Sequence, residues 1–484
     1  MSPSVRTRFA PSPTGYMHLG NLRTAVYAWL IARGQGGVFV LRIEDTDQER
    51  FVEGSVELIY DTLRQCGLDH DEGPDNGGPF GPYVQSRRKD IYLDHAKKLV
   101  EAGGAYYCFC PKERLDALRQ EAEAKGQAFR YDGHCKSLRR ETARARARNG
   151  EAFVIRQRIP DSGATAFEDV IYGRIEVDHG QLEEGVLLKS DGLPTYNFAN
   201  VVDDHLMGIT HVVRGAEYLS STPKYNLIYQ AFGWEVPTLV HLPMIMKDHS
   251  RKLSKRFGDP SFQDLTAQGF LKEAIINYVV LLGWNPKDGR EFFTLEELKS
   301  AFSISNINTA PAIFDLEKLK WMNGEYIRKL DVERFNVLAL PFIRQAVKRT
   351  DVNLDKIGAL VQQRTVVLSD IPARIDFIDA LPDYDKGMFV NKKAKTDQAN
   401  SLEYLTLCKD ALSNLQTWEP ELIKQRLFEV IESRGLKPNT FLTPLRIALS
   451  GREVTPGGAT ELADLLGRDD TLKRIEIGVN KLTA

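Results

Sequence analysis

The segment His18-Leu19-Gly20-Asn21 stands between a short segment, Val5 to Ala10, and a longer amphipathic one. Val5 to Ala10 is typical of a strand, and the prolines after it cannot continue that strand because proline has no N–H to donate. From about Asn21 to Arg33, apolar residues recur at helical spacing, which predicts a helix that stops at Gly34. The continuous apolar run Val38 to Ile43 then predicts a buried parallel strand. This order of elements predicts an α/β domain with His18 and Gly20 at a helix N-terminus.

A helix N-terminus of this kind is suited to bind phosphate. Its first backbone N–H groups have no partner within the helix, and the helix dipole favours negative charge. Gly20 would let a nucleotide approach the backbone closely, and the His18 side chain can meet phosphate oxygens. The motif is weak alone, because 9 histidines and 37 glycines in 484 residues give about 0.7 His-x-Gly matches by chance.

A second segment, Lys252-Leu253-Ser254-Lys255-Arg256, strengthens the interpretation. A Lys-x-Ser-Lys-Arg match is much rarer, with about 0.01 expected by chance in a chain of this length. A lysine-bearing loop can neutralise the charge that develops on phosphorus. Together, and in this chain order, the two segments predict a divided ATP site.

Several segments resemble the glutamyl-tRNA synthetases of the bacterial type, which belong to the class I aminoacyl-tRNA synthetases. They are Thr7-Arg8-Phe9-Ala10-Pro11-Ser12-Pro13-Thr14-Gly15, Arg42-Ile43-Glu44-Asp45-Thr46-Asp47, Pro194-Thr195-Tyr196-Asn197-Phe198-Ala199-Asn200-Val201-Val202-Asp203-Asp204, the Lys252–Arg256 loop and Lys320-Trp321-Met322-Asn323. The resemblance extends along essentially the whole chain. One departure is Asn21, where many class I enzymes carry a second histidine; glutamyl enzymes commonly tolerate this.

The resemblance implies a Rossmann-like α/β catalytic domain, an inserted domain and an all-α C-terminal region. We expect residues 1–94 and 191–247 to be the two halves of the catalytic domain. Residues 95–190 would be the insertion that holds the acceptor end of tRNA, with Phe153–Arg156 and Val170–Tyr172 as strands. Residues 248–330 would contact the inner corner of tRNA and carry the lysine loop. Residues 331–484, where only helical periods occur, would bind the anticodon.

Bulk composition agrees with this class of protein. A length of 484 residues suggests roughly three domains, and 42% hydrophobic with 27% charged residues is ordinary for a globular protein. The net charge of −2 means that tRNA binding must use local basic patches. There is no apolar run of about 18 residues and no signal-peptide core near Met1, and five cysteines in so long a chain indicate a reducing compartment. We therefore expect a cytoplasmic protein without membrane contact, and a monomer.

The implied reaction activates L-glutamate with ATP and transfers it to the 3′-terminal adenosine of tRNA(Glu). Catalysis of such steps depends mainly on positioning and on charge stabilisation. By resemblance, His18, Lys252 and Lys255 are the catalytic residues, and Mg²⁺ would bridge ATP oxygens. The ATP site would comprise Ser12, His18, Gly20, Asn21, Glu217 and Lys255.

Glutamate carries two carboxylates and one ammonium, so its pocket should offer two cations and one anion. The resemblance assigns Arg8 and Tyr196 to the side-chain carboxylate and Arg214 to the α-carboxylate. It assigns Ser12 and Glu44 to the amine, with Asn200 also lining the site. A planar guanidinium suits bidentate carboxylate binding. The structural alternative is that Arg8 and Glu44 form an ion pair between adjacent strands.

A zinc site is the least specific expectation. Cys108, Cys110 and Cys135 lie close together in the predicted insertion. A closed tetrahedral zinc site needs four ligands. Tyr131 resembles the fourth ligand of a truncated glutamyl-synthetase paralogue, whereas other family members use a histidine two places after the last cysteine, where this chain has Ser137. We expect zinc with Tyr131; the alternative is a set of free buried thiols.

Other functions fit the sequence less well. A glutaminyl enzyme has an anticodon-binding region built of β-barrels, and the truncated paralogue lacks a C-terminal region. A catalytically silent tRNA-binding paralogue would not be expected to keep His18, Lys255, Arg8 and Arg214. A small-molecule nucleotidyltransferase with a His-x-Gly motif would not explain the helical C-terminal third.

Overall fold

The computed structural model describes residues 4–253 and 258–484. Lys255, a predicted catalytic residue, lies outside the described residues. The chain divides into two compact units. One comprises residues 1–265 and 275–315, and the other comprises residues 266–274 and 316–484.

The first unit contains these strands: β1 Arg6–Phe9, β2 Val38–Leu41, β3 Ala105–Cys108, β4 Val154–Gln157, β5 Ala164–Asp169, β6 Gly173–Asp178, β7 Val186–Leu188, β8 His211–Gly215, β9 Thr238–Leu242, β10 Ile245–Met246 and β11 Ala312–Ile313. Its helices are α1 Leu19–Gly34, α2 Ser55–Cys66, α3 Lys89–Glu101, α4 Lys112–Ala124, α5 Arg140–Arg148, α6 Tyr196–Leu206, α7 Thr222–Phe232, α8 Phe262–Ala267, α9 Lys272–Leu281 and α10 Leu295–Ala301. The end of α8 and the start of α9 lie within residues 266–274, which are assigned to the other unit.

The main sheet of this unit has six strands in the order β2-β1-β8-β9-β5-β6. All neighbours are parallel except β5 and β6, which form an antiparallel hairpin at one edge. This arrangement confirms the predicted parallel α/β class. Residues 95–190 contribute the separate antiparallel sheet β3-β4-β7, and they also supply β5 and β6 to the main sheet.

Helix α1 begins two residues before the predicted start, at Leu19. The His18 side chain caps it by accepting a hydrogen bond from the backbone N–H of Gly20. Leu19, Gly20 and Asn21 of the motif therefore lie in the first turn of the helix. From Ala25 to Ala32 every residue is buried, so the helix is covered on nearly all sides rather than on the single face that the pattern predicted.

The predicted strand Val170–Tyr172 is wrong. These residues form the turn between β5 and β6, and the strand ends at Asp169. The Asp169 carboxylate accepts hydrogen bonds from the backbone N–H groups of Ile171 and Tyr172, both at 3.0 Å. An aspartate side chain that bonds to the backbone two and three residues later stabilises a turn, and this local bonding outweighs the strand propensity of Val170 and Ile171.

The second unit is helical, as the sequence predicts. Its helices are α11 Leu316–Lys329, α12 Val332–Ala346, α13 Leu354–Gln362, α14 Ile371–Ile375, α15 Gln398–Ser413, α16 Pro420–Ser433, α17 Pro438–Ser450, α18 Ala459–Leu466 and α19 Arg468–Thr483. Leu405, Cys408 and Leu412 of α15 and Ile475 of α19 are buried in its core, on the helix faces that the apolar spacing predicts. Leu422 of α16 is an exception, since it is exposed. In the described part of the chain, no helix is both long and apolar enough to cross a membrane.

Candidate active site

A cavity of about 280 Å³ lies at the carboxyl ends of β1, β8 and β9. In open parallel sheets, ligands commonly bind at this end of the strands. The cavity gathers predicted site residues from segments that are distant in the chain. They are Arg8, Ser12, His18, Gly20, Asn21, Glu44, Tyr196, Arg214, Glu217 and Lys252.

His18 connects the two sequence motifs. Its Nδ1 accepts the N–H of Gly20 at 2.8 Å, so Nε2 carries the ring proton and donates to the Leu253 carbonyl oxygen at 3.0 Å. A Cβ atom at Gly20 would lie 2.9 Å from the His18 ring, which is too close. A side chain at Gly20 would therefore displace the His18 ring from this cap.

Arg8 is buried in an ion-pair network beside the cavity. It donates from Nε and Nη2 to the two carboxylate oxygens of Asp204, at 3.0 and 3.2 Å, and from Nη1 to the Val213 carbonyl at 3.0 Å. A guanidinium has five N–H groups, so two make no hydrogen bond to the described residues and remain for a ligand. Burial disfavours the charged form, but Asp204 more than offsets this and raises the pKa of Arg8. Arg8 thus presents a fixed positive charge to the cavity.

Glu44 belongs to the same network through a different arginine. Its Oε1 accepts from Arg42 Nη2 at 2.9 Å, and Arg42 also donates to Asp204 at 2.8 Å. The alternative of an Arg8–Glu44 ion pair is therefore wrong, because each residue has another partner. Burial raises the pKa of Glu44, while Arg42 and Arg8 oppose that shift.

Arg214 supplies the second buried cation. Its side chain projects from β8 and is only 6% exposed. Nε donates to His241 Nε2 and Nη2 to Thr222 Oγ1, both at 3.0 Å. The guanidinium carbon also lies 5.4 and 4.7 Å from the ring centres of Tyr218 and Tyr225. These contacts fix its direction toward the cavity.

Tyr196 and Asn200 have different positions. Tyr196 lines the cavity, and burial raises the pKa of its hydroxyl well above the ordinary value, so that it remains a neutral donor. Asn200 is buried one helical turn later and donates to the Tyr196 carbonyl oxygen at 2.6 Å. It is not among the described residues that line the cavity, and its contact with glutamate stays a prediction.

The other side of the cavity carries more exposed charges. Lys252 Nζ lies 3.4 Å from Glu217 Oε1, and both side chains are about half exposed, at 47% and 46%. The two predicted nucleotide-site residues therefore pair with each other where solvent has access. Such a pair is weak, because water screens it.

Sequence reasoning missed four residues that hold these groups: Arg42, Asp204, Thr222 and His241. Arg42 and Asp204 stand within the quoted motifs, so position in a motif was a usable signal. No sequence signal pointed to Thr222 and His241. They lie next to Arg214 only because β9 pairs with β8 and because α7 begins beside it.

Three cysteines form a second candidate site. The Sγ atoms of Cys108, Cys110 and Cys135 all lie within 4.8 Å of one another. The Tyr131 hydroxyl is 3.3 Å from the first two sulfurs and accepts the backbone N–H of Cys135 at 3.0 Å. Burial opposes ionisation of Cys108, but its hydrogen bonds with Tyr131 and Arg156 bring the pKa of its thiol below the ordinary value. His134 makes no contact of this kind, which favours Tyr131 among the described candidates.

Two family descriptions match the chain. Residues 4–321 match "tRNA synthetases class I (E and Q), catalytic domain", and residues 334–479 match "Anticodon binding domain".

Relatives and solved structures agree with these matches. A glutamate–tRNA ligase of Clostridium botulinum is 57% identical over 484 residues, which is 100% of both chains. One of Clostridium acetobutylicum is 56% identical over 478 residues, covering 99% of each. The crystal structure of a glutamate tRNA ligase from Elizabethkingia meningosepticum, in complex with its amino acid, is similar with a TM-score of 0.90 and 35% identity. That match covers 99% of this chain and 100% of the other.

Proposed function

This chain belongs to the glutamate–tRNA ligases, which are class I tRNA synthetases, and we propose how its cavity carries out their reaction. In the first step, an oxygen of the glutamate α-carboxylate attacks the α-phosphorus of ATP and pyrophosphate leaves. In the second, a ribose hydroxyl of the 3′-terminal adenosine of tRNA(Glu) attacks the activated carbonyl carbon and AMP leaves. Neither step needs a nucleophile from the protein.

The observation that carries the proposal is the presence of buried arginines at one cavity. One of them, Arg23, donates from Nη1 and Nη2 to the carbonyl oxygens of Leu282 and Pro243, so we assign the substrate to the other two. Arg8 and Arg214 both line this cavity. In each guanidinium, some N–H groups make no hydrogen bond to the described residues and can therefore bind a ligand. Glutamate has two carboxylates, and a guanidinium binds a carboxylate with parallel hydrogen bonds. We assign Arg8 with the Tyr196 hydroxyl to the side-chain carboxylate and Arg214 to the α-carboxylate. Ser12 and the Glu44 carboxylate then face the amine.

The N-terminus of α1 supports the assignment of ATP to the same cavity. Gly20 and Asn21 line the cavity in the first turn of this helix, where the helix dipole favours phosphate. His18 and Lys252 line the same part of the cavity, and we propose that Lys252 and Lys255 stabilise the α-phosphate during attack. His18 would join them when its Nε2–H leaves the Leu253 carbonyl oxygen and donates to a phosphate oxygen. Mg²⁺ bound to the ATP oxygens would neutralise part of their charge.

The cysteine cluster fits a structural zinc ion. Three thiols and a phenol oxygen gathered at these distances match the number of ligands in a tetrahedral zinc site, and thiolate is a ligand that zinc prefers. We propose that Cys108, Cys110, Cys135 and Tyr131 hold zinc. The ion would tie the end of β3 to the segment before α5 and take no part in the reaction.

Different regions of the chain are assigned to different parts of the tRNA. We propose that residues 95–190 hold the acceptor end, that 248–330 contact the inner corner, and that 331–484 bind the anticodon. The match of residues 334–479 to an anticodon-binding domain supports the last of these.

Exchange of labelled pyrophosphate into ATP tests the proposed activation step. We expect exchange that requires L-glutamate, Mg²⁺ and tRNA(Glu) together, because the family usually needs tRNA for activation. Exchange supported equally by glutamine, which lacks the second carboxylate, would contradict the two-arginine pocket.

A further inference from the structure

Arg214 is held by a buried histidine that is in turn held by a buried aspartate. Arg214 and His241 are directly paired on the neighbouring parallel strands β8 and β9, so their side chains lie side by side on one face. Asp169 ends β5 on the other side of β9. The three side chains come from three strands of the sheet. His241 is fully buried and Asp169 nearly so.

The hydrogen bonds assign the histidine tautomer. Arginine only donates, so the 3.0 Å contact from Arg214 Nε requires a lone pair on His241 Nε2. The ring proton is therefore on Nδ1, which donates to Asp169 Oδ2 at 2.7 Å. The same Asp169 oxygen accepts the backbone N–H of His241 at 3.2 Å. Its other oxygen accepts the two turn N–H groups of Ile171 and Tyr172, so the carboxylate cannot rotate.

We propose that Asp169 and His241 are positioning residues that aim the Arg214 guanidinium at the α-carboxylate of glutamate. Asp169 selects the tautomer, and the tautomer supplies the acceptor that fixes Arg214 Nε. Nη2 is fixed by Thr222, and no hydrogen bond in the described part of the chain involves Nη1, which is left for the substrate. This inference rests on the proposed role of Arg214.

The charges around His241 support a neutral ring. Arg214 on β8 and Arg8 on β1 are cations, and Asp169 on β5 is the anion that faces it. Burial lowers the pKa of His241, and the two arginines add to this, while Asp169 opposes it. A proton on Nε2 would make this nitrogen a donor facing the Arg214 Nε–H donor. If the ring were doubly protonated, its positive charge would also repel Arg214. The neutral tautomer is therefore the form that can hold Arg214.

The variant Asp169→Asn tests the tautomer. The two turn N–H groups need an acceptor, so the new amide oxygen stays with them. The amide NH₂ then faces His241 Nδ1, and the backbone N–H of His241 loses its acceptor. The ring must then carry its proton on Nε2, where it opposes Arg214 Nε and can donate only to Thr222 Oγ1, 3.2 Å away. We expect the KM for glutamate to rise by about 10- to 100-fold, as for loss of an oriented charge-assisted contact, with the KM for ATP changed less than about two-fold.

His241→Gln and His241→Leu separate positioning from simple packing. Glutamine keeps an acceptor for Arg214 and a donor for Asp169, so it should restore much of the glutamate KM, whereas leucine should not. His179→Gln is the matched control. His179 is another buried histidine of this sheet region, bonded to Thr165 Oγ1 at 2.8 Å and with no contact to Arg214. It should leave the glutamate KM unchanged.

Nitrogen chemical shifts of ¹⁵N-histidine-labelled protein give a readout without activity. The His241 ring should show a protonated Nδ1 and a bare Nε2 in the unmodified chain, and the reverse in Asp169→Asn. If the KM for glutamate and the tautomer are both unaffected by Asp169→Asn while Arg214→Ala abolishes activation, the inference is wrong and the proposed function stands. If Arg214→Ala also activates glutamate normally, the proposed role of Arg214 is wrong.

Discussion

The two N–H groups that Arg8 leaves unused are enough to distinguish glutamate from glutamine. The two ligands are nearly isosteric, so pocket shape separates them poorly. A carboxylate accepts from the guanidinium, whereas an amide turns its own donor group toward a cation that only donates. The ion pair with Asp204 keeps Arg8 charged and holds its guanidinium in place.

Replacing Arg8 by leucine should abolish most glutamate activation and reduce the glutamate-to-glutamine ratio together. One unmatched buried charge-assisted bond costs about 2–5 kcal/mol, or roughly 30- to several-thousand-fold in kcat/KM. Asp204 would keep its bond to Arg42, so the network need not collapse. The comparison is of kcat/KM for both amino acids. Arg6→Leu is the control, since Arg6 lies on the same strand but pairs with Glu72. An unchanged ratio in Arg8→Leu would assign recognition to another residue, with Tyr196 the next candidate.

Lys255 is the residue whose charge we expect to matter most for phosphate transfer. Lys255→Ala should lower the single-turnover rate of adenylate formation by about 10²-fold or more, because charge stabilisation of the transition state is lost. The assay should include tRNA, and the melting temperature should be unchanged. A wild-type rate would remove Lys255 from the mechanism.

At the scale of elements, the cysteine cluster joins the end of β3 to the turn before α5. Zinc would fix this junction, because metal binding contributes directly to folding free energy. Protein purified without added zinc should contain about one zinc per chain, and Cys110→Ser should lose it.

Cys408→Ala is the matched control for the zinc experiment, since Cys408 is buried in the core of the helical unit. It should keep the metal, and Tyr131→Phe should weaken metal retention without the full loss. A metal-free preparation with full activity would contradict the zinc proposal.

Elements with strong local signals were predictable from the sequence, and those that depend on distant partners were not. The strand at Arg6–Phe9 and the helix at Leu19–Gly34 lie within two residues of their predicted bounds. The turn at Val170–Tyr172 was missed because the Asp169 side chain bonds to the backbone there. The cavity residues came from the motifs and the resemblance, whereas Thr222 and His241, which hold Arg214, carried no such signal. Their roles arise only when β5, β8 and β9 pair.

At the scale of the whole molecule, the helical unit includes residues that precede its predicted start at 331. Leu271 and Ile327 are buried in the same core as Leu405 and Ile475. Helix α11 and the segment 266–274 therefore depend on the C-terminal helices for their burial.

A chain that ends near Leu330 should still bind ATP but charge tRNA with a much higher KM, since the proposed anticodon contacts are absent. Circular dichroism of the shortened chain should check that α11 is still helical, because the helices that cover its apolar face would be absent. Charging with the KM of the intact chain would contradict the assignment of residues 331–484 to the anticodon.

The most direct test of the whole account is a charging assay with the intact protein. Purified tRNA(Glu) and tRNA(Gln) would each be incubated with ATP, Mg²⁺ and either labelled glutamate or labelled glutamine, and the acylated tRNA counted. The account predicts ATP-dependent glutamyl-tRNA(Glu) and no glutaminyl product on either tRNA. Failure to charge tRNA(Glu) with glutamate, or equal charging with glutamine, would contradict it.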